Sequence, residues 1–292
     1  MNFEPSTPKR IALYTTGAVA ASVLAYVGWI RETSPDVGTL LSGVQIHVGM
    51  AATVPADTDN QDALKLRTEQ VALAWEAWRK ADEAAPGDFE VLEWKAVLLI
   101  LEGEPVQAAD VYADLATKTD DAELRSAIQL REVEMRRSAQ GVETARALLD
   151  AYGLNTAASD LTRISLDVDQ GDTAGAIRRV RDSFVREDGE FTHKSSCIRI
   201  LQSLAGVEAA TSMCLEGPIR DSLRDYELAR LKADAADTDN AVGLLMHSLN
   251  QQDEDVRTLF TRERGFWNER LGEDEFNRLN SIGAPAAPLS GR

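Results

Sequence analysis

The hydrophobic and polar positions change character once along the chain. Residues 11–30, IALYTTGAVAASVLAYVGWI, carry no charge. As a helix rising ~1.5 Å per residue, such a run spans about 30 Å, the thickness of a bilayer's hydrocarbon core. Tyr14 stands near one end, with Tyr26 and Trp29 near the other, as in an interfacial aromatic belt. The run predicts a transmembrane helix over 11–31. A cleaved signal peptide is the rival, because Ala18-Val19-Ala20 fits a small-residue cleavage site. Apolar sequence continuing past Ala20 favours a retained span. Gly17, Ala21 and Ala25 recur every four residues and predict a face that packs on another transmembrane helix.

After Arg31 the pattern becomes apolar residues at three- and four-residue spacing among Ala, Leu, Glu and Arg, without long β-branched alternation. That pattern predicts helix throughout, hence an all-α fold. The segment AWEAWRKADEAAPGD places Ala74, Trp78, Ala81 and Pro86 at the spacing A-x3-aromatic-x2-A-x4-P. A small residue lets two helices approach, an aromatic fills the seam, and proline stops the helix. Thirty-four residues on, Ala108 is followed by Tyr112 and Leu115, with Gly103-Glu104-Pro105 as the preceding turn. Ala176 lies two such periods further with Val180 behind it, and Ala210 one more with Cys214 behind it; Ala145 and Leu149 fall between, displaced by three residues.

The first of these segments resembles the second helix of a tetratricopeptide repeat. The resemblance covers roughly residues 60–250, as about five degenerate hairpins, and weakens along the chain as the aromatic and the proline are lost. It implies an α-solenoid that binds other proteins. The expected organisation is a cytoplasmic tail over 1–10, the span over 11–31, a membrane-proximal helix and linker over 32–60, the repeat domain over 61–250, capping helices over 251–283 and a flexible tail over 284–292. Phe260, Trp267, Leu271, Phe276 and Leu279 supply the apolar face of the capping helices.

Charge narrows the partners. The chain of 292 residues has a net charge of −17, which opposes nucleic acid and favours neutral or basic partners. Lys9 and Arg10 precede the span and only Arg31 follows, which predicts the N-terminus inside and the rest outside the cytoplasm, in the periplasm of a bacterial inner membrane.

No phosphate loop, GxGxxG, GxSxG, HExxH or CxxC pattern occurs, so no catalytic, cofactor or metal site is expected. The three histidines, His47, His193 and His247, are far apart in sequence, and His193 reads as a polar residue near a helix start. The two DTDN stretches, Asp57 to Asn60 and Asp237 to Asn240, read as helix caps rather than calcium loops. Arg178, Arg179, Arg181 and Arg186 read as a solvated helix face with intrahelical ion pairs.

In the repeat register Gly206 breaks a hairpin midway between Cys197 and Cys214, the two cysteines of the chain. The two residues lie level across it, and an oxidising periplasm predicts a Cys197–Cys214 disulfide, with two buried free thiols as the rival. The expected function is a membrane-anchored interaction scaffold, assembly factor or holdase for membrane or exported proteins. The alternative is a permanent accessory subunit of a large membrane complex, held through its transmembrane helix and solenoid.

Overall fold

The computed structural model describes residues 35–55 and 58–282. The expected span, its Gly17-Ala21-Ala25 face and the C-terminal tail lie outside the described residues. Among the described residues every regular element is an α-helix, and none is long and apolar enough to cross a membrane. The chain divides into two compact units, one ending at Gly103 and one beginning at Glu104. The division falls on the Gly103-Glu104-Pro105 turn, inside the stretch expected as one array.

The first unit holds α1 (Pro35–Ala52), α2 (Gln61–Ala84) and α3 (Phe89–Glu102). In α1, Val37, Leu41, Val44, Val48 and Ala51 are buried at alternating four- and three-residue steps, which keeps one stripe on one side of a helix. That stripe meets Ala74, Trp78 and Ala81 of α2 and Val91, Trp94 and Leu98 of α3. Thus α1, the expected membrane-proximal helix, packs on α2 and α3 as a leading cap would. Asn60 starts α2 by accepting from the Asp62 and Ala63 amides, and Asp88 starts α3 by accepting from Glu90 and Val91. The Trp78 indole N–H donates to the Val91 carbonyl at 2.7 Å. Exposed Pro86 lies in the turn between α2 and α3, past the end of the helix it was expected to stop.

The second unit holds α4 (Pro105–Lys118), α5 (Ala122–Gln140), α6 (Val142–Tyr152), α7 (Ala157–Asp169), α8 (Thr173–Phe184), α9 (Phe191–Ala205), α10 (Val207–Glu216), α11 (Asp221–Asp234), α12 (Thr238–Asn250), α13 (Glu254–Arg262), α14 (Arg264–Leu271) and α15 (Glu273–Ile282). Successive helices pack as the hairpins α5/α6, α7/α8, α9/α10 and α11/α12, with α4 against α5. The C-terminal cap is three short helices, and Phe260, Trp267, Phe276 and Leu279 are buried in it while Leu271 is half-buried.

Two of these hairpins turn on one glycine. Gly141 joins α5 to α6 with φ 90° and ψ 174°, and Gly206 joins α9 to α10 with φ 87° and ψ 173°. Each glycine amide donates back to the preceding helix, to Arg137 and Gln202, and each carbonyl accepts from the next helix, from Ala145 and Ala210. One residue therefore closes one helix and opens another, in a backbone region that is essentially glycine's alone.

Candidate interaction surface

Of the residues expected at the repeat seam, all but the exposed Pro86 are buried. Ala74, Ala81, Ala108, Tyr112, Ala145, Ala176 and Ala210 have at most about one hundredth of their surface open, and Trp78 is buried beside Ala74. Each alanine of the series Ala74, Ala108, Ala145, Ala176 and Ala210 precedes by four residues a second buried side chain: Trp78, Tyr112, Leu149, Val180 and Cys214. Ala241 and Leu245 on α12, not singled out from the sequence, repeat the pair. Residues four apart share a helix face, so the small residue and its larger neighbour form one contact strip.

The Cys197–Cys214 disulfide is not formed. Both cysteines are free and fully buried in the same core. The hairpin and its Gly206 turn are as expected, but level placement is not enough for a bridge, since the two side chains must also point at each other. The Cys197 sulfur instead stands 3.7 Å from His193 Nε2, one turn back on its own helix. Burial pushes each thiol up to about 12.

His193 is the third residue of α9, near the helix start as expected, and is buried there. Its Nε2 lies 3.1 Å from Ser183 Oγ, which donates to Asp160 at 3.4 Å. Asp160, Ser183, His193 and Cys197 thus form a chain that superficially matches a thiol nucleophile with its base. The geometry does not support that chemistry, because a thiol held near 12 stays protonated at neutral pH and the thiolate is the nucleophile. Among the described residues no three His, Cys, Asp or Glu side chains converge as metal ligands.

The arginine cluster departs from expectation in its partners. Arg179 Nε donates to Asp167 on α7 at 2.9 Å, and Arg186 reaches Asp160 on α7, Asn155 and Asp188. The Asp167 and Asp160 pairs cross to α7, Asp188 lies two residues beyond Arg186, and Arg178 and Arg181 are exposed as expected of a solvated face. Arg146 of α6 also binds Asp167, at 2.8 Å. Burial alone would raise the Asp167 carboxyl, but Arg146 and Arg179 outweigh it and hold it below the usual range. Of the two DTDN stretches, the first caps through Asn60, while Asp57 lies outside the described residues. In the second, the Asp237 side chain makes no cap; it pairs with Lys232 at 3.3 Å and accepts from Asn240 at 2.9 Å.

A row of polar links, unseen in the sequence, joins the first helices of neighbouring hairpins in the second unit. Arg137 of α5 donates to Asp169 of α7 at 2.6 Å. Ser195 of α9 donates to Glu227 of α11 at 2.5 Å, and Gln202 of α9 to Asp234 of α11 at 2.9 Å. All three links join residues 32 apart. Complementary polar residues about one repeat apart are the signal that would have found them. Glu227 is fully buried and also faces Arg199 at 3.3 Å. Burial would lower the Arg199 guanidinium, but Glu227 and Glu263 outweigh it and raise it.

Near the start of α9 a cleft of about 560 Å³ is lined by Phe191, Lys194, Pro218, Arg220 and Asp255 among others. Its cations are already engaged: Lys194 donates to the Pro218 carbonyl at 2.7 Å, and Arg220 pairs with Asp255 at 2.7 Å. No known protein family matches the chain, and no curated protein sequence matches it either.

Proposed function

We propose that this chain is a bilayer-anchored, tetratricopeptide-like solenoid that binds other proteins, as a scaffold, assembly factor or holdase for membrane or exported proteins. The observation that carries the reading is the buried strip of alanine and larger neighbour on α6, α8, α10 and α12, the second helices of successive hairpins in the second unit, as in stacked helical hairpins that bury a shared core and leave an extended surface for partners. The uncharged run over 11–30 and the Lys and Arg flanking it support a single span with the helical part on the periplasmic side. The net charge of −17 supports neutral or basic protein partners and opposes nucleic acid. No catalytic step, cofactor or metal belongs to this reading.

The second reading, a permanent subunit of a membrane complex, draws on the polar links Arg137–Asp169, Ser195–Glu227 and Gln202–Asp234. They engage these polar groups within the chain, so those groups offer little to a transient client. Purification of the full chain in mild detergent, with copurifying proteins identified and counted, tests both. Many substoichiometric proteins are expected from a holdase or assembly factor, and one fixed set in integral ratio from a subunit. Recovery of the chain alone after crosslinking in intact cells would defeat both readings.

A further inference from the structure

Residues 37–56 contain no Asp, Glu, Lys or Arg, in a chain whose net charge is −17. They form most of α1, whose outward side is uncharged: Ile46 is 60% exposed and Met50 45%, beside exposed Thr39, Ser42 and Gln45. Leu66 at 44% and Leu73 at 42% are exposed on α2. The two helices touch where Gly43 approaches Ala77 and where His47 Nδ1 meets Gln70 Oε1 at 2.7 Å. Ile46 and Met50 flank that line on α1, and Leu66 and Leu73 flank it on α2, at the three- and four-residue steps of one helix side. Four of the eight large hydrophobic side chains exposed among the described residues therefore gather on this one hairpin.

We propose that this edge of the α1/α2 hairpin docks on the bilayer surface. The inference rests on the reading of residues 11–30 as a span. Ile30 precedes Pro35 by five residues, which reach at most ~18 Å when extended. Ile46 lies eleven residues into α1, ~16 Å along its axis. The helix therefore starts within reach of the headgroups, and lying flat it brings Ile46 and Met50 to them. Charge selects the same stretch. Anionic headgroups repel the acidic chain as a whole, and 37–56 offers them no carboxylate to repel. A tether of this length keeps the edge at high effective concentration beside the membrane, so shallow insertion of four apolar side chains is sufficient to hold it.

The test uses the full chain in vesicles of phosphatidylethanolamine with a minority of phosphatidylglycerol. Single cysteines are introduced by Val23→Cys, Ile46→Cys or Arg79→Cys and spin-labelled in the folded protein, where Cys197 and Cys214 are buried. Arg79 is exposed on another side of α2. Accessibility to oxygen and to a water-soluble nickel chelate gives depth. The label at Ile46 is expected about 5–10 Å into the headgroup–acyl boundary, with the label at Arg79 in water. An Ile46 label as open to the nickel chelate as that at Arg79 overturns the docking. So does one shielded from both reagents, which marks a protein partner or a second copy on this edge. The Val23 label separates the two ideas: deep at Val23 with water at Ile46 defeats the docking alone, and water at both defeats the span as well.

Discussion

The indole N–H of Trp267 donates to the Tyr226 hydroxyl at 2.9 Å, and that hydroxyl donates to Glu263 at 2.9 Å. The two rings meet edge to face, 5.6 Å between centroids, and both side chains are fully buried. Trp267 also touches the rings of Phe260 and Phe266. This pair fastens the C-terminal cap to α11 through one hydroxyl that serves as both donor and acceptor. Tyr226→Phe removes it and strands the buried indole N–H, at an expected cost of about 1–3 kcal/mol. Urea unfolding measures this; a loss under about 0.5 kcal/mol would mean the indole finds another acceptor.

In the first unit, Trp78 fills the seam between α2 and α3. Trp78→Ala is expected to cost about 3–5 kcal/mol, from lost burial and the cavity left behind. Trp78→Phe keeps most of the bulk but loses the bond to Val91, a smaller cost of about 0.5–1.5 kcal/mol. Similar midpoints for wild type and both variants would contradict the burial of this side chain.

Gly206 tests the single-residue hinge. No heavy atom beyond its own chain neighbours lies within 4 Å of where a Cβ would stand, so Gly206→Ala meets no clash and its cost is backbone strain alone. At φ 87° and ψ 173° that strain is expected to reach about 1–3 kcal/mol. Gly103, with φ 79° and ψ 29°, sits in the ordinary left-handed region, and Gly103→Ala is expected to cost less, about 1–2 kcal/mol. The opposite order in thermal denaturation would show that the Gly206 turn relaxes.

The cysteines give a pH dependence. Burial raises both thiols to about 12 in the folded chain, against about 8.5 in an unfolded one. A group whose folded value is raised stabilises the fold fully below the unfolded value. That contribution is lost as pH rises from about 8.5 toward 12. Stability is therefore expected to fall across this alkaline window, and Cys197→Ala with Cys214→Ala to flatten the fall. At pH 8 neither thiol should react with a thiol reagent until the chain unfolds. Fast labelling of the native protein would contradict their burial.

Much of the fold was legible because its signals act within a few residues. The caps at Asn60, Asp88 and Asp121 bond amides two and three residues ahead, so a short polar residue before an apolar run suffices to place a helix start. The alanines of the seam were legible because a small residue four before a larger one marks a contact strip whatever the partner helix. The arginine pairings were not: Arg179 and Arg186 find Asp167 and Asp160 on another helix, and i,i+4 reasoning does not see across a hairpin.

The sequence by itself determined that the described residues after Arg31 fold as helices, where some of those helices are capped, and which alanines line the seams. Those properties follow from propensity, capping and a 3.6-residue period, all local. Only the tertiary structure decided which way each side chain turns once two helices meet. Each residue advances about 100° around a helix, so a phase uncertain by one residue separates a sulfur aimed across the hairpin from one beside its own His193. The same rotation buries Glu227 against Ser195 and Arg199, and leaves Ile46 and Met50 outside on a helix with no Asp, Glu, Lys or Arg beyond Asp36. Crossing geometry and relative rotation of helices arise from the packing of all the side chains between them, and no short stretch of sequence contains that information.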